Sequence, residues 1–290
     1  MAGLRNFAAL VDAETAGRVG YLSYRKVPAV VTVIGCWYDF SMAPGNPAPQ
    51  YYAAAPLTAQ TLSRSLDGGI QHGGNVFPGS KHLRSICAMS VAAAGVPLYL
   101  RLQDYLMYYP FVDMGTSEAQ PMTNVQTLPR YATGEGVQMM AVLVAPHGLA
   151  ADSFYVTYTN SHGVAGRVTP LHVMTTAAAV NGTILTTNRG LANCFGPYMT
   201  LQAGDTGVRS IESVTCTAGT DVGLFTMVLV KPLVSMQVRG IDAPVERDFF
   251  LETGGNAPII VDDAYLNFIA CPNGSLTGVP LIGDMRFIWT

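Results

Sequence analysis

Short runs in which apolar and polar residues alternate at every second position recur along the chain. Leu98, Leu100 and Leu102 alternate with Tyr99, Arg101 and Gln103, and Phe154, Val156 and Tyr158 alternate with Tyr155, Thr157 and Thr159. Successive side chains of a strand point to opposite faces, so a period of two marks a half-buried strand. These runs predict strands over Val96–Tyr109 and Ser153–Thr159. The nearly unbroken apolar run Val137–Ala145 predicts a central strand buried on both faces, and the β-branched run Val27–Ile34 also reads as a strand. Further strands are expected at Arg84–Val91, Thr183–Thr187, Ser210–Thr217, Leu224–Pro232, Arg247–Glu252, Tyr265–Cys271 and Gly283–Trp289. Val164–Val173 is expected to pair back on Ser153–Thr159 across the turn Asn160-Ser161-His162-Gly163.

The segments between these runs read differently. Ala2–Ala16 has Leu4, Phe7, Ala8, Leu10 and Val11 near helical spacing, and predicts a short helix or an arm that orders against a partner. Ser41–Pro56 carries Pro44, Pro47, Pro49 and Pro56 around Tyr51-Tyr52 and reads as a long extended loop. Thr58–Ser65 reads as a helical turn, and Gly68–Gly79 as a glycine-rich turn region. About ten short strands with turn signals between them, and no alternating βα units, predict an all-β fold: a jelly-roll-like β-sandwich. The expected division is an N-terminal arm or short helix over 1–26 and one large sandwich domain with long loops over 27–290.

Composition narrows the function. Charged residues make up 12% of the 290, against roughly 25% in an ordinary domain. Part of the surface is therefore neutral, and neutral surface suits subunit contact. The net charge is −3, the three lysines are Lys26, Lys81 and Lys231, and the arginines are scattered. No basic cluster is present to neutralise a run of phosphates or an anionic membrane surface. No apolar window is long enough to span a bilayer, and Asp12 and Glu14 interrupt what a signal peptide would keep apolar. Cys36, Cys87, Cys194, Cys216 and Cys271 are widely spaced and odd in number, which fits reduced thiols in a cytoplasm rather than a disulfide or zinc scaffold.

Candidate chemistry is sparse. Gly74-Asn75-Val76-Phe77-Pro78-Gly79-Ser80-Lys81 approaches a phosphate-binding loop, but the lysine stands one place late and Pro78 removes a backbone donor. His72, His82, His147, His162 and His172 lack metal-ligand spacing, and His147 and His162 are expected in solvated turns. Asp262-Asp263 with Asp248 and Glu252 could supply oxygen ligands to calcium, but reads better as an acidic turn. Tyr105, Tyr108, Tyr109 and Phe111 form the richest aromatic cluster, expected to divide between core and a contact surface for protein or sugar. No catalytic constellation and no cofactor site follow from these residues.

Several phrases resemble a family of virion structural proteins of tailed bacteriophages: residues 37–47 (WYDFSMAPGNP), 104–110 (DYLMYYP), 128–138 (LPRYATGEGVQ), 203–213 (AGDTGVRSIES) and 284–290 (DMRFIWT). Together they span most of the chain. The resemblance implies a non-enzymatic particle component made in the host bacterial cytoplasm. On this reading it is a capsid cement or decoration subunit contacting copies of itself and the major capsid protein. Major capsid, tail and head–tail connector roles are the alternatives within the particle. A carbohydrate-binding or glycan-cleaving β protein is the alternative outside it. The residues expected at the contacts are Leu4, Phe7, Pro44, Pro47, Tyr51, Tyr52, Tyr108 and Tyr109.

Overall fold

The computed structural model describes residues 6–65, 68–187, 196–254 and 256–290. Among them, nine strands of seven residues or more carry the fold: β1 (Val19–Lys26), β2 (Lys81–Ser90), β3 (Leu98–Asp113), β4 (Gln138–Ala145), β5 (Ser153–Asn160), β6 (Val208–Cys216), β7 (Leu224–Val238), β8 (Leu266–Pro272) and β9 (Leu281–Trp289). Two helices accompany them, α1 (Phe7–Thr15) and α2 (Phe249–Thr253). Their ladders are antiparallel throughout, and the fold is an all-β sandwich. No described helix is long and apolar enough to cross a membrane.

The strands form three sheets. One outer sheet runs Val245–Asp248, β2, β9, β1, Gly45–Asn46. The central sheet runs Tyr38–Asp39, β8, β3, β7, β4. The second outer sheet runs Arg167–Val168, β5, β6, Gln120–Pro121. β3 and β7, of 16 and 15 residues, are the shared spine, each about 50 Å long at roughly 3.3 Å per residue. Leu98, Leu100 and Leu102 of β3 pack with Tyr24, Leu83, Met285 and Phe287 of the first outer sheet. Farther along β3, Met107, Tyr109 and Val112 pack with Phe154, Val156, Ile211 and Val214 of the second. A third cluster joins Tyr105, Tyr108, Val228 and Val230 to Trp37, Met42, Tyr52 and Leu62 from the loop segments.

Two prolines hid the length of this spine. Strand ends were expected at Tyr109, before Pro110, and at Pro232, because proline cannot donate to a ladder. Both strands continue through. The β3–β7 register shifts between Phe225 and Met227, opposite Pro110, and again between Pro232 and Val234. Pro110 falls among the residues skipped at the first shift, whereas Pro232 still pairs with Gln103 and Leu233 is skipped beside it; bulges are where a strand tolerates proline.

Other expectations are corrected. Val27–Ile34 is not a strand. Its backbone bonds go to loops instead, Val27 N–H to Pro44 O and Gly278 N–H to Pro28 O. The strand lies earlier, at β1, within the stretch expected to be an arm. β1 sits between β9 and Gly45–Asn46, with Tyr24 and Lys26 buried and Tyr21, Ser23 and Arg25 exposed. Gln60–Thr61 is a short strand on β3, where a helical turn was expected. Thr183 and Ile184 make only isolated bridges, to Tyr38 and Val142. Val245–Asp248 is a strand, but Phe249–Thr253 is helical because the Asp248 carboxylate accepts from Leu251 N–H as an N-cap. The expected helix near the N-terminus is present as α1, capped by Asn6, with Leu10 and Ala13 packed on Phe250 and Ile288.

Candidate interface

The residues expected at contacts divide between surface and core. Phe7 (67% exposed) and Tyr51 (63%) project into solvent. Pro44 is exposed and Pro47 half-buried, and Leu4 lies outside the described residues. Tyr52, Tyr108 and Tyr109 are core residues, not contact residues. The Tyr52 hydroxyl donates to the Asp39 carboxylate at 2.6 Å, and its ring stacks edge-on against Tyr108. The Tyr109 hydroxyl donates to Asn124 Oδ1 at 2.7 Å and accepts from Ile211 N–H at 3.2 Å. Tyr105, buried too, donates to Asp39 at 2.6 Å. The 105–109 tyrosines are thus enclosed and present no face on which a sugar could stack.

Several ionisable groups serve as internal struts. Two of the three lysines are buried. Lys26 Nζ donates to Pro47 O at 2.9 Å and thereby holds the proline-rich loop against β1; burial lowers its pKa to about 8. Lys81, the lysine of the near-phosphate loop, points beneath that loop. Its Nζ donates to Gly74 O (2.7 Å), His72 O (2.9 Å) and His72 Nδ1 (3.1 Å). A lysine saturated by carbonyls from below has no donor left for a phosphate above. His72 Nε2 donates to Ala264 O, and burial, reinforced by the Lys81 ammonium, lowers its pKa to about 4. His172 accepts from Thr200 N–H and donates to Pro170 O, and burial lowers it likewise to about 4.

His147, expected in solvent, is buried, with Nδ1 3.0 Å from Asp221 Oδ2 and Nε2 3.1 Å from Ala178 O. His162 is exposed. The four acidic residues weighed as calcium ligands are engaged separately: Asp248 by Arg84, Asp263 by Arg64, Glu252 by Arg247, and Asp262 by Val76 N–H. Among the described residues no group of three or more His, Cys, Asp or Glu side chains is placed to hold a metal. Cys36, Cys87, Cys216 and Cys271 are free thiols; Cys194 lies outside the described residues.

One recess follows from no motif in the sequence. A groove of about 730 Å³ opens where the 71–80 loop crosses the ends of β1 and β9, with Leu22, Phe287 and Trp289 among its walls. Tyr21 (69% exposed) and Phe77 (93%) stand at it. Of the ionisable side chains that line it, His72 and Lys81 are buried and turned toward the loop backbone, and Tyr21 is exposed. The Phe77 signal was present in the sequence: a lone ring inside a glycine-rich turn belongs to no apolar run and has no strand to carry it inward. Tyr21 becomes legible as outward-facing only once β1 is placed.

No protein-family model and no curated protein matches the chain. Solved structures that it matches include the VP2 subviral particle of infectious bursal disease virus, at 8% identity over 93% of this chain and 80% of that chain, TM-score 0.16. They also include the Gt strain of the same virus, at 10% identity over 94% of this chain and 81% of that chain, TM-score 0.15. At TM-scores this low neither a common fold nor a common role follows.

Proposed function

We propose that the chain is a non-enzymatic structural subunit of a tailed-phage virion, a cement or decoration protein on the outside of the head, which works by packing against copies of itself and the major capsid protein. The observation that carries the reading is where the few charges lie. Lys26, Asp39, Lys81, Asp104, Arg130, Asp152 and Asp221 are all buried. In a chain only 12% charged, this leaves the surface still poorer in charge than composition suggests. Phe7, Tyr21, Tyr51 and Phe77 remain exposed on it. Rings on a neutral surface are the usual anchors of protein contact. The resemblance across residues 37–47, 104–110, 128–138, 203–213 and 284–290 supplies the particle. Neutral contacts of modest strength, repeated by symmetry, add up in a shell.

Cryo-electron microscopy of purified particles tests this. The expected map shows density for this sandwich on the outer capsid surface in hundreds of copies. Six or twelve copies would reassign it to a connector or tail, and no density in the particle would remove the virion reading.

A further inference from the structure

Phe77 is the most exposed large apolar side chain in the described residues, and it stands at the groove of about 730 Å³. We propose that Phe77 of one copy seats in this groove on a second copy, and that Phe77 of the second copy returns the contact, giving a two-fold dimer. A patch holding both a protruding ring and a cavity able to receive one is complementary to itself, which is what an isologous interface requires. At about 730 Å³ the groove falls in the size range of sites that enclose small molecules, so a phenyl ring has room.

The floor is apolar (Leu22, Phe287, Trp289), and His72 and Lys81 are turned inward. The side chains of His72 and Lys81 therefore do not face a second copy, and the charged groups left at the edge are the Thr290 terminus and Arg286, which lies over Tyr21 and is paired with Glu14. Four rings, Phe77 and Tyr21 from each copy, together with the walls that receive them, remove on the order of 1,000 Å² from water, the size of a weak, reversible interface. The glycine-rich loop that presents the ring is braced by Lys81 from beneath and by Asp262 on Val76 N–H. Phe77 is thus held outward at little ordering cost on binding.

The proposal names the partner for the structural-subunit reading and rests on it for its biological purpose, but it is tested on the isolated full-length chain by sedimentation velocity. The wild type is expected to form a dimer. Phe77→Ala is expected to weaken it by about tenfold or more, as loss of a central aromatic anchor does, while Tyr51→Ala on another surface leaves it unchanged. Gly74 lines the groove and a Cβ there would meet nothing within 4 Å, so Gly74→Trp is expected to place a ring at the recess and to weaken pairing as well. Mixing Phe77→Ala with Gly74→Trp restores one of the two contacts, and the mixed dimer is expected to be tighter than the homodimer of either variant. A monomeric wild type, a dimer unaffected by Phe77→Ala, open-ended growth, or no rescue on mixing would each overturn it. A dimer with these properties from a chain absent from the particle would leave this inference standing and remove the virion reading.

Discussion

Arg130 grips Asp104 at two points, Nη2 to Oδ1 at 2.7 Å and Nε to Oδ2 at 2.9 Å, with both side chains out of solvent. The same guanidinium donates to Leu62 O and Tyr105 O, and Tyr265 N–H donates to Asp104 Oδ1. One ion pair thus ties the middle of β3 to the segment before β8 and to the loop over the central sheet. Removing one partner strands a buried charge. Arg130→Met is expected to cost about 3–5 kcal/mol in urea unfolding. The double variant Asp104→Leu, Arg130→Met is expected to cost less than the sum of the two single changes, because no charge remains to be buried alone. Additive losses would show that the pair does not act as a unit.

Acid is expected to destabilise the fold through His72 and His172. Each is held neutral by its hydrogen bonds, one ring nitrogen accepting and the other donating, and each has a pKa near 4 in the folded chain. In the unfolded chain a histidine titrates near about 6.5. Between these values the unfolded state binds protons that the folded state does not, so stability falls as pH falls from about 6.5 toward 4 and is insensitive to these two groups above that window. Urea midpoints across this range measure the slope, and His172→Gln is expected to flatten it. An equal slope in the variant would exclude His172 as a source.

Lys26 holds the proline-rich loop through Pro47 O. Lys26→Met keeps the buried stem but removes the donor, leaving that carbonyl unpaired, at about 1–3 kcal/mol. The loop is expected to be cut faster than in the wild type under limited proteolysis near residues 44–51. Unchanged cutting would show that the strand pairing at Gly45–Asn46 alone holds it.

Tyr109→Phe tests whether the aromatic cluster belongs to the core. The hydroxyl bonds both Asn124 and Ile211, so its loss is expected to cost about 1–2 kcal/mol by leaving those groups unpaired. Dimerisation is expected to be unaffected, since the ring is buried. A weakened dimer with unchanged stability would return Tyr109 to the surface.

The aromatic pairs show how far the sequence could be read. Tyr51 and Tyr52 are neighbours in an irregular, proline-rich segment, and only contact with Asp39 and Tyr108 makes one core and leaves the other in solvent. Tyr108 and Tyr109 occupy successive positions in β3, so their rings enter different clusters, and both faces of the strand at that point are covered. His147 looked like a turn residue because the ring that meets Asp221 belongs to a pair 74 residues apart. Phe77, by contrast, carried a local sign of exposure.

The sequence by itself determined the all-β class and the positions of most long strands, because alternation is a property of neighbouring residues and survives any tertiary arrangement. It also determined the poverty of charge. Tertiary structure alone decided that two strands run through prolines at bulges, that β1 rather than Val27–Ile34 enters the sheet, and which rings are covered. It also decided that most of the lysines and several acids are internal struts and that a groove opens beside Phe77. These depend on which distant segment lies over a given side chain, and burial is set by that neighbour rather than by the residue's own place in the chain.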